Sequence, residues 1–568
     1  MDTVLFHYGV HSMRFIEDIY YPLTRFAYTA KNLAYAVTQC LSNPSLIVPF
    51  FWGPIHSQIP HVRAYNPLGH LDFTYQNSQD LTTAALNTTN GIATLWAGPF
   101  PIHYVTSNAA RHALVRESHM GVINETSSEF LHWMTGGNSV MASFPDFQPI
   151  NSIPYKIQRD FLLKRFHGGA KQRLPDIEKS TTQFLQDFYQ NQEQQPLPLR
   201  DFINALILNN SANLLGLKKY TLDKIYLERE SYRVAIDRVA KYGISEKADP
   251  ALEEDLYQVF LRVLETNFSQ ISSDSAENNL IRNIFTSLEI DFPTTFEDFH
   301  KLPKDLRYKI AMTFSSTGLG AMVHSTATTL DWAVARLLQD PKKKTELVQL
   351  MAQYKTIDLT EDGVFDKSGP LFPLCEWVLH NVFLYPTFSH EFFYNQTAYS
   401  AALEDGSTIE VPGNSIVVVN YVQCNRSESE LAAFETFSKT LEDSATTGRF
   451  IMDKRVASFG GSKTSKENEK SRICPGAKTS LYEQMIILAI LLRDYSLELI
   501  DSQDLSCDVD PAMHPLCVRA NSGTVVLSKI NPKSTLTSNR NAFFNEVSNT
   551  TPPILDNPTP PKYTVHPQ

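Results

Sequence analysis

The stretch from Ser458 to Gln484, SFGGSKTSKENEKSRICPGAKTSLYEQ, constrains this chain more than any other. A glycine-bearing turn leads to Arg472-Ile473-Cys474-Pro475-Gly476, and an apolar helix-forming run begins at once. A thiolate at a helix N-terminus is stabilised by the positive end of the dipole and by nearby backbone N–H groups. Glycines let the backbone pass close to a flat cofactor. The guanidinium of Arg472 can pair with a carboxylate such as a haem propionate. Each part is ordinary alone. Together they describe a haem-thiolate loop, in which the sulfur of Cys474 is the axial ligand and pushes electron density towards iron. The alternative is a buried structural cysteine after a glycine turn.

The rest of the composition is compatible with such a loop. With 568 residues, 42% of them hydrophobic and 20% charged, the chain has the material for a large soluble core. A formal net charge of −11 argues against a protein built to neutralise phosphates, so no nucleic-acid partner is expected. Cys40, Cys375, Cys424, Cys474, Cys507 and Cys517 are far apart and form no CxxC, which argues against a disulfide framework or a zinc knuckle and favours a reducing compartment. The N-terminus lacks a signal-peptide pattern, and no run of 18 apolar residues is present. The expectation is an intracellular protein, cytoplasmic or peripherally membrane-associated. Phe26–Val37 and Leu46–Trp52 are the patches that can touch a membrane surface or pack on the body.

Periodicity divides the chain coarsely. Residues 1–75 read as an N-terminal segment of helix and loop, 76–530 as one main domain, and 531–568 as a disordered Pro-rich tail. Ile92–Trp96 and His103–Thr106, separated by Gly98-Pro99, predict a hairpin, and Asn108–Glu117 a helix capped by Ser107. Glu178–Gln190, Leu199–Leu214, Leu252–Phe268 and Leu306–Leu338 predict helices, with a Ser- and Asn-rich loop at Ile271–Asn279. Strands are predicted at Thr408–Val411 and Ser415–Tyr421 around a turn at Pro412-Gly413-Asn414. Thr479–Arg493 is a helix with Leu481, Met485, Leu488 and Leu492 on one face. The fold class is mainly α with small β regions.

The loop resembles that of the cytochrome P450 superfamily. Phe459, Gly460, Gly461, Arg472, Cys474 and Gly476 supply its pattern, and Glu483 its glutamate nine residues beyond the cysteine. Other segments agree in order. Gly98–Leu114 is similar to the family's first hairpin and B helix. Tyr155-x-x-x-Arg159, followed by Phe166, is similar to its C-helix motif. Leu306–Leu338 resembles the long I helix, Leu384-Tyr385-Pro386 the end of the K helix, and Arg449-Phe450 the motif before the haem loop. The resemblance implies the cytochrome P450 fold and a bound haem b. It implies Cys474 as iron ligand and Arg472, Arg159, Phe459, Gly461 and Gly476 as cofactor-binding residues.

Three departures from the family pattern stand out. Fifteen positions separate Phe459 from Cys474, about twice the usual interval, through the polar insert SKTSKENEK. A similarly lengthened loop marks the allene oxide synthase and hydroperoxide lyase branch; a neutral surface insertion is the alternative. In the I helix, His324 and Ser325 stand where an acid and an alcohol are expected. With Thr326 they are the candidate catalytic residues, His324 as a proton donor near neutral pH or else a hydrogen-bonded core histidine. In the K helix, the Glu-x-x-Arg positions hold His380 and Phe383, with Glu376 one turn earlier, so the buttressing ion pair is missing or rebuilt.

Three functions follow from the resemblance. The first is monooxygenase-type oxidation of an apolar small molecule or lipid with electrons from an NADPH-dependent reductase. Lys463, Lys466, Lys470, Arg472 and Lys478 can dock such a partner or form a solvated face. The second is an electron-independent isomerase, dehydratase or lyase acting on a lipid hydroperoxide, which brings its own O–O bond. The third is a haem-binding protein without turnover.

Overall fold

The computed structural model describes residues 90–97, 100–114, 120–121, 153–192, 195–217, 250–314, 318, 322–323, 325–387, 390–395, 398–402, 406, 408–411, 415–427, 447–452, 456–459, 474–500 and 523–530. The N-terminal segment, the Pro-rich tail, the turn at 412–414 and Lys463, Lys466 and Lys470 lie outside them.

Alternating apolar residues fold the first described segment into the predicted hairpin. Strands β1 (Ile92–Ala97) and β2 (Phe100–Val105) are antiparallel, with Ile92 opposite Val105. Helix α1 (Asn108–Leu114) starts where Ser107 was expected to cap it, its Oγ accepting from the Ala110 N–H at 3.2 Å. Strand β3 is Met120–Gly121.

A helical block follows. Helix α2 (Ile153–Leu162) continues into a π-wound turn, Leu163–Gly168. Gly169 ends it: its N–H reaches back to the Lys164 carbonyl at 2.9 Å, and a Cβ there would lie 2.9 Å from that same oxygen. Then come α3 (Leu174–Gln192), β4 (Leu197–Pro198) and α4 (Leu199–Leu214), the last on its expected span. Helix α5 (Pro250–Ser273) runs into the segment expected to be loop. Ser272 and Ser273 are helical, and their hydroxyls donate back to the Phe268 and Gln270 carbonyls at 2.8 and 2.9 Å instead of competing for the backbone elsewhere. Asn279 caps α6 (Leu280–Ser287), and a Thr295–Asp298 capping box opens α7 (Phe296–Lys301).

The predicted helix over Leu306–Leu338 contains α8 (Lys304–Phe314) and α9 (Ser325–Gln339). Between them Gly318 and Met322–Val323 are π-wound. Such windings distort helices near functional sites. Asp340 and Pro341 start α10 (Pro341–Gln353), and α11 is Phe372–Leu384.

The late β region contains β5 (His390–Asn395), β6 (Tyr399–Ala402), β7 (Thr408–Val411) and β8 (Ser415–Asn420). Tyr421, expected as strand, begins α12 (Tyr421–Ser427); α13 is Thr447–Met452. Helix α14 (Ala477–Asp494) runs into β9 (Tyr495–Leu499), and β10 is Thr524–Lys529. The early hairpin and late strands form one sheet, β1-β2-β8-β5-β3, joined by the parallel pair β2–β8. Smaller sheets are β4-β10-β9 and β6-β7.

Helix α14 is the core of the helical block. Leu481, Met485, Leu488 and Leu492 are buried as expected, but so is every residue between them. A helix buried on all sides needs apolar neighbours all round; α3, α9, α10, α11 and α13 supply them. No helix among the described residues is long and apolar enough to cross a membrane.

Candidate functional site

Cys474 stands immediately before α14. Its N–H donates to the Phe459 carbonyl at 3.0 Å, and its own carbonyl accepts from Ala477 at 3.3 Å. Two residues fifteen positions apart therefore meet at one hydrogen bond. Phe459 is held in turn by an edge-on contact with Phe450, with ring centroids 6.2 Å apart. Among the described cysteines, Cys375 and Cys424 are buried, whereas Cys474 is exposed. Burial drives the Cys375 thiol far above its ordinary range.

Two effects compete at the Cys474 sulfur. Desolvation by the surrounding protein is larger and raises its pKa; the N–H groups of Gly476 and Ala477 and the charge of Arg159 lower it. The residue as a whole is exposed, while the protein around its sulfur disfavours the thiolate. Without a cation in contact, the thiol is favoured. A bound metal cation reverses the balance, because coordination removes the thiol proton.

Three basic side chains gather here. Arg159 lies in the last turn of α2, His167 in the π-wound turn, and Lys478 in the first turn of α14. Burial lowers the pKa of His167, and the charges of Lys478 and Arg159 lower it further. His167 Nδ1 is buried and has no hydrogen-bond partner among the described residues. Thr479 Oγ1 donates to the Phe166 carbonyl at 2.7 Å, which pins the π-wound turn to α14. An iron porphyrin would bring a cation to the sulfur and carboxylates to this basic set. The orphaned imidazole nitrogen and the donors facing the sulfur fit both parts.

The helix pair α8–α9 supplies the other candidates. The Ser325 carbonyl accepts from Thr387 Oγ1 at 2.8 Å. Thr326 is buried, and its hydroxyl donates to Ser480 Oγ at 3.0 Å. Ser480 Oγ also accepts from Gln484 Nε2 at 3.3 Å. Thr326 is thus tied to the helix that carries Cys474. His324, Arg472 and Gly461 lie outside the described residues. Of the predicted site residues, Cys474, Gly476, Phe459, Arg159 and Thr326 are linked to the start of α14 by bonds, sequence or charge.

Sequence reasoning missed His167, Ser480 and the partner of Glu483. Glu483 is buried on α14 and hydrogen-bonded to Asn210 of α4, and desolvation pushes its pKa up to about 8. Asn210 Nδ2 also donates to Thr181 Oγ1 at 2.9 Å. A short polar residue at an otherwise apolar position of α4 was the available signal. His380, Phe383 and Glu376, the residues at or near the expected ion-pair positions, are all buried on α11. Arg336 of α9 reaches this helix, donating to Asn381 Oδ1 at 2.7 Å, with its guanidinium 5.3 Å from the Trp377 ring centroid.

No protein-family model matches the sequence, and no curated protein matches it either.

Proposed function

We propose that the chain is a haem-thiolate oxidoreductase with the cytochrome P450 fold, oxidising an apolar small molecule or lipid, with Cys474 holding the iron. One observation carries the reading: a cysteine at the start of the buried helix α14 whose sulfur faces two backbone N–H groups and the charge of Arg159. Haem, when bound, supplies the redox chemistry, and thiolate ligation favours O–O cleavage. The protein's part is to hold and orient. Cys474 supplies the ligand, and Gly476 and Ala477 stabilise its charge. Arg159, His167 and Lys478 receive the carboxylates, joined by Arg472 through the resemblance. Ser325, with His324, is the candidate for proton delivery, because Thr326's hydroxyl is engaged with Ser480.

That engagement favours a second reading. An enzyme rearranging a lipid hydroperoxide needs neither proton delivery to dioxygen nor a reductase. The long interval between Phe459 and Cys474 agrees with it.

The test starts with spectra. Purified chain carrying haem, reduced and treated with carbon monoxide, is expected to show the red-shifted Soret band of thiolate ligation, and Cys474→Ala to abolish it. A wild-type sample without that band, or a band surviving the substitution, sinks the proposal. Loss of a fatty-acid hydroperoxide without reductase then selects the second reading. Turnover dependent on NADPH and reductase selects the first.

A further inference from the structure

The end of α11 is capped in an unusual way. A helix leaves its last carbonyls without intrahelical partners. Here the Asn381 carbonyl accepts from the Tyr385 N–H at 2.9 Å, a local turn. The next two are met from a distance. The Val382 carbonyl accepts from Ser458 Oγ at 2.8 Å, and the Phe383 carbonyl from Asn425 Nδ2 at 2.6 Å.

Asn425, on α12, is 0% exposed. Its Nδ2 also donates to Ser458 Oγ at 3.0 Å, and its Oδ1 accepts from the Ala457 N–H at 2.7 Å. Both amide hydrogens and the amide oxygen are therefore used. Ser458 precedes Phe459, whose carbonyl accepts from Cys474. The bonds run without a gap from the α11 terminus through Asn425 and Ser458 to the backbone of Phe459 and Cys474. His380 and Phe383, at the positions where the resemblance leads one to expect an ion pair, form no such pair with each other.

We infer that Asn425 is the positioning residue that fixes Cys474 against the end of α11, a neutral amide performing the buttressing for which a charged pair is expected. The geometry suits this role. One planar group grips a helix terminus on one side and two consecutive loop residues on the other. Because Asn425 carries no charge, the grip is independent of pH and nearly independent of salt. Alanine would remove the side-chain donor to the Phe383 carbonyl and leave the Ala457 N–H buried without its acceptor, and the loop would have to move to rehydrate it.

Hydrogen exchange on the full chain, read by mass spectrometry, tests the placement without any cofactor. In Asn425→Ala, exchange at 456–459 and at the Cys474 amide should rise by about tenfold or more, while Leu481–Leu491 keep their protection. Ser458→Ala, which loses only the Val382 bond and one partner of Asn425, should show the same pattern more weakly and serves if Asn425→Ala does not fold. Unchanged exchange in both variants overturns the inference. So does a rise spread evenly over α14, which would make Asn425 an ordinary core residue. The consequence for ligation rests on the haem-thiolate reading: Asn425→Ala should lose part of the red-shifted carbon monoxide band, and a band identical to wild type overturns the positioning role. If wild type lacks that band, the haem reading fails alone, and the exchange pattern still decides the inference.

Discussion

Glu483 and His103 are buried groups with opposite pH signatures. Glu483 is raised from 4.5 to about 8, so the unfolded chain sheds its proton first. Its contribution to stability is complete below pH 4.5 and is lost as pH rises through 8, a total of about 5 kcal/mol. Denaturant titrations should therefore show Glu483→Gln gaining on wild type as pH rises from 5 to 8. His103, 2% exposed and bonded through Nδ1 to Thr94 Oγ1 at 3.0 Å, is lowered from 6.5 to about 4 by burial. Its contribution is present above pH 6.5 and lost as pH falls to 4, about 3 kcal/mol. His103→Gln should flatten that acid limb and leave the alkaline one unchanged. The place of Cys474 just before a helix was legible in the sequence because its cues are local: glycines before it and an apolar run after. Asn425 and His167 were not, because their partners come from distant segments, as Phe166 and Thr479 do for the turn beside His167.

At the scale of elements, steric detail decides what periodicity cannot. Gly168 and Gly169 are adjacent, yet a Cβ at Gly168 meets nothing nearer than 3.7 Å, while one at Gly169 meets backbone oxygens at 2.9 and 3.0 Å. Gly169→Ala should destabilise by about 2 kcal/mol and Gly168→Ala by well under 1 kcal/mol, measured by thermal or chemical denaturation. Thr326→Val removes the bond between α9 and α14 and should cost about 1 kcal/mol. Apolar spacing predicted α4 over its observed span and placed α14 within two residues at each end. The run expected as one helix holds α8 and α9, and the described residues between them, Gly318, Met322 and Val323, are π-wound, a winding that leaves the apolar pattern intact while shifting the hydrogen-bond ladder. Apolar spacing predicted one buried face for α14 because Glu483, Gln484 and Thr479 look like solvent positions; each is buried with a hydrogen bond instead.

Across the whole molecule, the mainly helical class with small sheets was readable from composition and periodicity. The union of the two β regions was not. β2 and β8 pair in parallel, Ile102 beside Ile416, and nothing in either segment names the other. The bond between Cys474 and Phe459 has a further consequence at this scale. Phe459 and Cys474, fifteen positions apart, meet at one backbone hydrogen bond, so residues inserted between them chiefly add closure entropy. Lengthening the 460–473 segment by about ten Gly/Ser residues should cost under about 1 kcal/mol. The position thus offers a port where a fluorescent label or a small domain can be grafted onto the molecule while Cys474 keeps its bond to Phe459.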